Sequence, residues 1–480
     1  MKQEKMDMAK VLAILAQPRQ VPPPLENVTR QTIEIPYITS DEKIDTRKVN
    51  IFLPDKASKP MPLVYIPHYE MGEDALELRD YLAQGWAVAC PTQAPSNANA
   101  TLAGDNLVFN NAALYTLRQM DEFDKKRIVL VGGSAGGYMA LMLTGQNLGL
   151  CATIANGPVA NAYFNIYYYF PMAQALNMKV LAMTADENDD KKTSTVEVKS
   201  KLPAQWEKLK KLADLPIPFI AALIGEFNAS PGSYPAAEDT AGWEAVTGVG
   251  IAERFSNPVM VNHNTSDVMV PVDQISRRYT YKEPGASLPS DFNAMLPHSF
   301  SGKLNKSLEE CLPLEDTRTL RIPVPEDAGE ESILPYDNAK RFNLNIFDDG
   351  PIEGYGTHSS RMDVGRRKDV PYLKEMLEQT TAKTNILVPA MLKFLLLQYL
   401  GKSRALPAHT GVDDSVYGSL AVYQKKARGE LYAWVADNGE AALRRVFETL
   451  MAQETDAEEK DSLKTAMCDI FTQLNQGAFA

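Results

Sequence analysis

The sequence predicts an α/β protein, with a mostly parallel central sheet carrying helices on both faces. Three observations predict it. Short, continuous apolar runs such as Met61–Pro67 (MPLVYIP), Trp86–Cys90 (WAVAC) and Arg127–Val131 (RIVLV) suit strands buried on both faces. The segments between them carry apolar residues at helical spacing, as Leu107, Ala112, Leu114, Leu117 and Met120 do. The two patterns alternate along the chain, which is the signature of strands joined by helical crossovers.

The elements follow in order. Pro22-Pro23-Pro24 is a stiff break that sets a leading segment apart. Gln31–Ile38 and Thr46–Leu53 alternate apolar with polar residues and read as half-buried strands. Met61–Pro67 is the third strand, Leu76–Ala83 a short helix and Trp86–Cys90 the fourth strand. Asn106–Phe123 is expected to be helical, Arg127–Val131 a buried strand, Ala135–Leu143 a helix and Cys151–Ala155 a strand. Alternation stops after Pro158. It resumes with the strand Pro258–Asn262 (PVMVN) and, after an irregular stretch at about 274–340, with Phe342–Phe347 (FNLNIF). Ile386–Leu400 is a buried helix. Two amphipathic helical patterns follow, one with Leu443, Val446, Phe447, Leu450 and Met451, the other with Leu463, Met467, Phe471 and Leu474.

This organisation assigns 1–159 and 257–400 to one α/β domain, interrupted by the 274–340 insertion. Residues 160–256 form a mainly helical cap, and 401–480 a C-terminal helical extension. The charged run Asp186–Lys211 reads as a solvated helical face of the cap.

Composition narrows the function classes. Hydrophobic residues are 45% and charged residues 23%, which supports a large core and excludes global disorder. The net charge of −12 supplies no basic field to recruit nucleic acid or an anionic membrane. The longest apolar stretch, Ile386–Leu400, is interrupted by Lys393 and Gln398 and falls short of a transmembrane span. The run Val11–Ala16 is short for a secretory signal, and Glu4 and Asp7 lie where such a signal is basic. A cytoplasmic location is the expectation. Cys90, Cys151, Cys311 and Cys468 form no CxxC pair, and Cys90 and Cys151 read as buried thiols.

The chemistry concentrates at Gly132-Gly133-Ser134-Ala135-Gly136-Gly137. It follows the strand RIVLV and opens the helix AGGYMALML, so G-x-S-x-G stands in the strand–turn–helix context that a nucleophile elbow requires. Ser134 must occupy a sharp, strained turn, and side chains at Gly132 and Gly136 would collide with the neighbouring strand and helix. A dinucleotide fingerprint would need Gly where Ser134 stands, and a P-loop would need Lys where Tyr138 stands. A serine needs a base, and the base an orienting acid, in the chain order Ser, acid, His for this elbow. His358, in the Gly-rich loop Gly354-Tyr355-Gly356-Thr357-His358-Ser359 after FNLNIF, is the expected base. His298 lies in the insertion and His409 beyond the sheet. Asp267, on the loop after PVMVN, is the expected acid. Asp273 is its rival, at a position where a carboxylate is ordinary helix-start chemistry. His263 reads as loop packing rather than half of a metal pair. The oxyanion donors are expected to be the amide of Ala135 and, from the loop His68-Tyr69-Glu70-Met71-Gly72, the amide of Tyr69.

These residues resemble the α/β-hydrolase superfamily in its esterase and prolyl-oligopeptidase-like branch. The matches are GGSAGG at 132–137, NTSDVMVP at 264–271 and GTHSS at 356–360. The HYEMG loop stands where many relatives carry His-Gly-Gly, with Tyr69 and Glu70 in place of the glycines. The resemblance implies a serine hydrolase that acts on a small ester or amide through a Ser134–His358–Asp267 triad, without metal or organic cofactor. A carboxylic ester is preferred, because only the first 60 residues precede the run at Met61, too few for the β-propeller of prolyl-oligopeptidase-like peptidases. A peptidase or acyl-amide hydrolase is the alternative, and a catalytically silent scaffold the reading from another class. Two further questions stay open on sequence alone. Tyr167, Tyr168 and Tyr169 read either as a wall of the substrate pocket or as the cap's own core. The C-terminal helices bury their stripes either on the hydrolase body or in a homodimer.

Overall fold

Among the described residues, nine strands form one sheet in the order β1-β2-β4-β3-β5-β6-β9-β11-β10. They are β1 (Val28–Ile38), β2 (Ile44–Pro54), β3 (Met61–Tyr65), β4 (Ala87–Pro91), β5 (Phe123–Gly133), β6 (Ala152–Asn156), β9 (Val259–Asn264), β10 (Thr317–Pro323) and β11 (Phe342–Asp348). Only β1–β2 and β2–β4 pair antiparallel; the other neighbours are parallel. β7 (Lys179–Met183) and β8 (Thr193–Glu197) make a separate antiparallel pair. The computed structural model describes residues 23–92, 102–165, 179–183, 193–197, 235–236, 238–265, 267, 270–279, 302–323, 333–348, 368–378, 386–403, 409, 411 and 413–476.

Among the described residues, the helices of eight or more residues are α1 (Leu76–Ala83), α2 (Asp105–Leu117), α3 (Ala135–Thr144), α4 (Val370–Glu378), α5 (Pro389–Tyr399), α6 (Leu420–Asn438), α7 (Glu440–Gln453) and α8 (Ala457–Asn475). They divide between the two faces of the sheet. Side chains of α2, α3, α5 and α6–α8 share one core with Leu63, Ile128 and Leu344. Leu78, Tyr81 and Leu82 of α1 and Tyr372, Leu373 and Met376 of α4 share the other with Val64, Val129 and Met260. Successive strand residues point to opposite faces, so a continuous apolar run is what a sheet covered on both sides needs.

The predicted elements are present with small shifts. The helix expected over Asn106–Phe123 ends at Leu117, and Phe123 opens β5 instead. Phe123 is buried, so strand packing claims a residue that periodicity gave to the helix. Two expectations need correction. The insertion at 274–340 supplies β10, which adds a parallel edge strand outside β11. Thr193–Glu197, inside the run expected to be a helical face, is a strand, and its Thr and Val residues favour extended backbone. The described part of 160–256 therefore holds a β-pair beside short helices at Thr240–Ala245 and Gly248–Ile251. Cys90 and Cys151 are buried thiols.

The C-terminal helices gather on α5. Leu443 and Leu450 of α7 and Leu463, Met467, Ile470 and Leu474 of α8 are buried in the body's core. Each such side chain contributes about 1.5–3 kcal/mol of transfer free energy. Polar contacts fix the docking. Glu430 of α6 takes Arg118 Nη1 at 2.8 Å and Lys426 Nζ at 3.1 Å, and its other oxygen accepts the Leu148 amide at 3.0 Å. Burial pushes the pKa of both cations down, and the Glu430 carboxylate opposes that shift. Lys393 of α5 meets Glu454 and Glu459 at 2.6 Å each, tying the α7–α8 junction to the same helix.

Candidate active site

Ser134 lies between β5 and α3 with φ 53° and ψ −120°. A non-glycine residue adopts that region only when its surroundings enforce it. Here the enforcement is close backbone packing. A Cβ on Gly132 would lie 2.2 Å from the Gly136 carbonyl oxygen, and one on Gly136 would lie 3.0 Å from the Pro67 carbonyl oxygen. The Ser134 amide donates to Asn156 O at 2.8 Å, and its carbonyl accepts from Tyr138 N at 3.0 Å. The Ser134 side chain does not cap its own helix.

The strand order puts this elbow at the carboxyl end of the sheet's central parallel strand, after two antiparallel strands and a β4–β3–β5 crossover. The fold is that of the α/β-hydrolases.

The hydrolase fold brings the loop after β3 against the elbow. His68 takes φ 79° and is buried. The Tyr69 amide, expected to be a free oxyanion donor, instead donates to Pro67 O at 3.1 Å. The loop presents its phenol in place of its amide. Tyr69 is 38% exposed as a residue, but its hydroxyl is desolvated and lies near the Ser134 side chain and the Ala135 amide. Burial raises the phenol pKa, and the nearby Ser134 side chain and Ala135 amide pull it back down.

A buried polar chain from α2 holds this loop. Asn110 Oδ1 accepts the His68 amide at 3.3 Å and the Tyr65 hydroxyl at 2.8 Å. Asn106 Oδ1 accepts from Arg47 Nη1 at 2.8 Å, and Asn106 Nδ2 faces His68 Nδ1 at 2.8 Å. Arg47 can only donate, so the amide oxygen must face it and the amide nitrogen must face His68. That makes Nδ1 the acceptor and leaves the proton of the neutral ring on Nε2. The His68 ring stands edge-on to Tyr69, with centroids 4.4 Å apart.

Asp267, the expected acid, lies on the loop that follows β9. Asp267 is 5% exposed, and its Oδ1 accepts the Val270 amide at 2.9 Å. His263 belongs to β9 itself, is fully buried, and places Nε2 4.0 Å from Asp267 Oδ2. The loop is clipped to β11 by Thr265 N donating to Phe347 O at 2.9 Å. Asp273, the rival acid, sits in a short 3-10 turn at Val272–Gln274. His358 lies outside the described residues, as do Tyr167, Tyr168 and Tyr169. Tyr163, at the start of the same aromatic run, is core: its ring stands edge-on to Trp243 with centroids 5.0 Å apart.

Beneath the site runs an asparagine ladder. Asn156, Asn262 and Asn345 occupy one register across β6, β9 and β11. Asn262 Nδ2 donates to Asn156 Oδ1 at 2.8 Å, and Asn345 Nδ2 to Asn262 Oδ1 at 2.9 Å. The Asn156 carbonyl also holds the Ser134 amide, so the ladder ties the elbow to the strands that carry the acid side. The ladder and the Asn106–His68 chain were missed from sequence. Their one local signal is Asn106 and Asn110, one helical turn apart in a helix whose other residues are mostly apolar.

No family model and no curated protein matches the chain. Solved structures similar to it include a puromycin hydrolase (13% identity, 73% of this chain and 39% of that one, TM-score 0.37). Oligopeptidase B from Leishmania major is similar at 13% identity, over 74% of this chain and 37% of that one, with TM-score 0.39. Esterase B from Lactobacillus rhamnosis is similar at 13% identity, over 78% of this chain and 93% of that one, with TM-score 0.37. The chain thus spans about two fifths of the length of the two peptide-type hydrolases. Likeness this loose carries no assignment, which rests on the chain's own sheet order and elbow. Among the described residues, no helix is long and apolar enough to cross a membrane.

Proposed function

We propose that the chain is a serine hydrolase that cleaves a carboxylic ester through an acyl-enzyme. The observation that carries this reading is the strained Ser134 on the turn between β5 and α3, with the Tyr69 phenol and the Ala135 amide close by. A nucleophile and two converging hydrogen-bonding groups are what acyl transfer needs in one place.

Ser134 Oγ attacks the substrate carbonyl carbon while His358 takes the serine proton. Asp267 orients the imidazole and stabilises its cation. The carbonyl oxygen becomes an oxyanion, which receives the Ala135 N–H and the Tyr69 O–H. A substrate oxygen entering there displaces the phenol's present contacts. Collapse breaks the C–O bond, and His358 returns its proton to the leaving alcohol. Water, deprotonated by His358, then attacks the acyl carbon and releases the acid and Ser134. An amide follows the same path with an amine as the leaving group.

A fluorophosphonate probe is expected to label wild type and to leave Ser134→Ala unlabelled, with both chains showing the same thermal unfolding. A folded wild type that takes no label would sink the reading. A panel of aryl and alkyl esters beside aminoacyl amides then divides esterase from peptidase. Faster turnover of the amides would overturn the ester preference and leave the nucleophile in place.

A further inference from the structure

At the opposite end of β5, a cleft of about 530 Å³ opens between α6 and the strand's first residues. Its volume falls in the range of small-molecule sites, about 300–1,000 Å³. Leu148, Leu150 and Trp434 give it an apolar floor. Around that floor stand five cations, Arg118, Lys125, Lys126, Lys425 and Lys426, against two carboxylates, Glu430 and Asp437. In a chain of net charge −12, this is a local reversal of sign.

The pairing of those charges leaves an excess. Asp437 takes Lys126 at 2.6 Å, and the single carboxylate of Glu430 serves both Arg118 and Lys426. Lys125 and Lys425 are exposed at the rim, with Lys425 reaching Asp414 at 3.4 Å. Arg118 is committed within the protein: Nη1 donates to Glu430 and Nη2 to Leu148 O, at 2.8 Å each, and its Nε is buried.

The helix side of the cleft is shaped by Gly429, which lines it in the middle of α6. Glycine is the poorest helix former after proline. A Cβ at Gly429 would meet nothing within 4 Å, so no packing contact in the protein requires glycine there. What its absence of side chain preserves is the space itself.

We infer that this cleft binds a small amphipathic anion, with a carboxylate or sulfonate head at the exposed Lys425 on the rim and an apolar body on Leu148, Leu150 and Trp434. The site is separate from the nucleophile. Nine residues of β5 and its turn, at about 3.3 Å each, place it roughly 30 Å from Ser134. It therefore does not depend on the hydrolase reading.

The test is calorimetric titration of the Ser134→Ala chain with 4-phenylbutyrate and, separately, with its neutral amide, beside thermal unfolding at rising ligand concentration. The expected result is one saturable site per chain with Kd of the order of 0.1 mM for the anion. The amide should bind about tenfold more weakly, and the unfolding temperature should rise with the anion concentration. Gly429→Leu fills the cleft and favours the helix. It should weaken anion binding about tenfold or more without lowering the unfolding temperature of the free chain. Lys425→Glu, a surface change that leaves packing alone, should weaken binding and flatten its salt dependence. Absence of saturable binding to the unsubstituted cleft, equal binding of the neutral amide, or wild-type affinity in folded Gly429→Leu or Lys425→Glu would each overturn the inference.

Discussion

The two ends of β5 use glycine for opposite reasons. At the carboxyl end, Gly132 and Gly136 let backbone press on backbone, and a methyl group would drive into a carbonyl oxygen. Near the amino end, Gly429 of α6 faces open space. The first arrangement stores strain at Ser134 and holds it by packing. The second leaves volume beside a cationic rim. Glycine content alone does not distinguish the two; what a side chain would touch does.

Substitutions sharpen the contrast. The largest effect is expected for Gly132→Ala. Backbone lies on both sides of the collision and neither side yields cheaply, so the cost should be of the order of 4 kcal/mol. Urea unfolding would show it, and a midpoint like that of wild type would break the account of the elbow. Tyr69→Phe keeps the ring against Gly136 and removes only the hydroxyl. It is expected to lower kcat about 10²–10³-fold with little change in KM or in thermal unfolding. A rise in KM alone would assign Tyr69 to substrate binding instead of the oxyanion.

Gly429→Ala is the mirror experiment, expected to stabilise the chain by about 0.5–1 kcal/mol because the helix gains propensity and nothing is displaced. A loss comparable to that of Gly132→Ala would erase the distinction between the two ends. The smallest effect concerns the clasp beyond both ends. Hydrogen bonding to Lys393 is the main cause that lowers the Glu454 carboxyl from 4.5 to about 2. A folded-state pKa below the unfolded one contributes stability above the unfolded value and loses it as pH falls towards the folded value. Chemical denaturation should therefore show Glu454→Gln less stable than wild type near pH 6. The two curves should converge as pH falls from about 4.5 towards 2. Parallel curves would show that the Lys393 pair adds nothing to the docking of α7 and α8.

Much of the fold was legible because it is local. Strands β3, β5 and β9 announce themselves as apolar runs, and the elbow as a five-residue pattern whose first glycine answers a contact within the same turn. Helix α6 was not legible. Gly429 and its mixed charges blur the apolar stripe that marks α7 and α8, and its helical state rests on Leu431, Trp434 and Lys426 being buried against the body. β10 escaped for a related reason. It is an edge strand with Thr and Arg between its apolar residues, and its pairing with β11 supplies what its own pattern lacks.

By itself, the sequence determined the strands and helices from β1 to β6, the strained turn at Ser134 and the loop positions of Asp267 and Tyr69. Each is written in residues a few positions apart, and steric exclusion acts at that range. Tertiary structure alone decided which atoms of those residues face the site. The Tyr69 amide turns to Pro67 while its phenol turns to Ser134, because His68 is held by Asn106 and Asn110 of a helix about 40 residues on. It also decided that Arg118 and Glu430, 312 residues apart, share one buried ion pair beside an open cleft. Hydrogen bonds and charge pairs form wherever the folded backbone brings complementary groups within about 3 Å, whatever their separation along the chain.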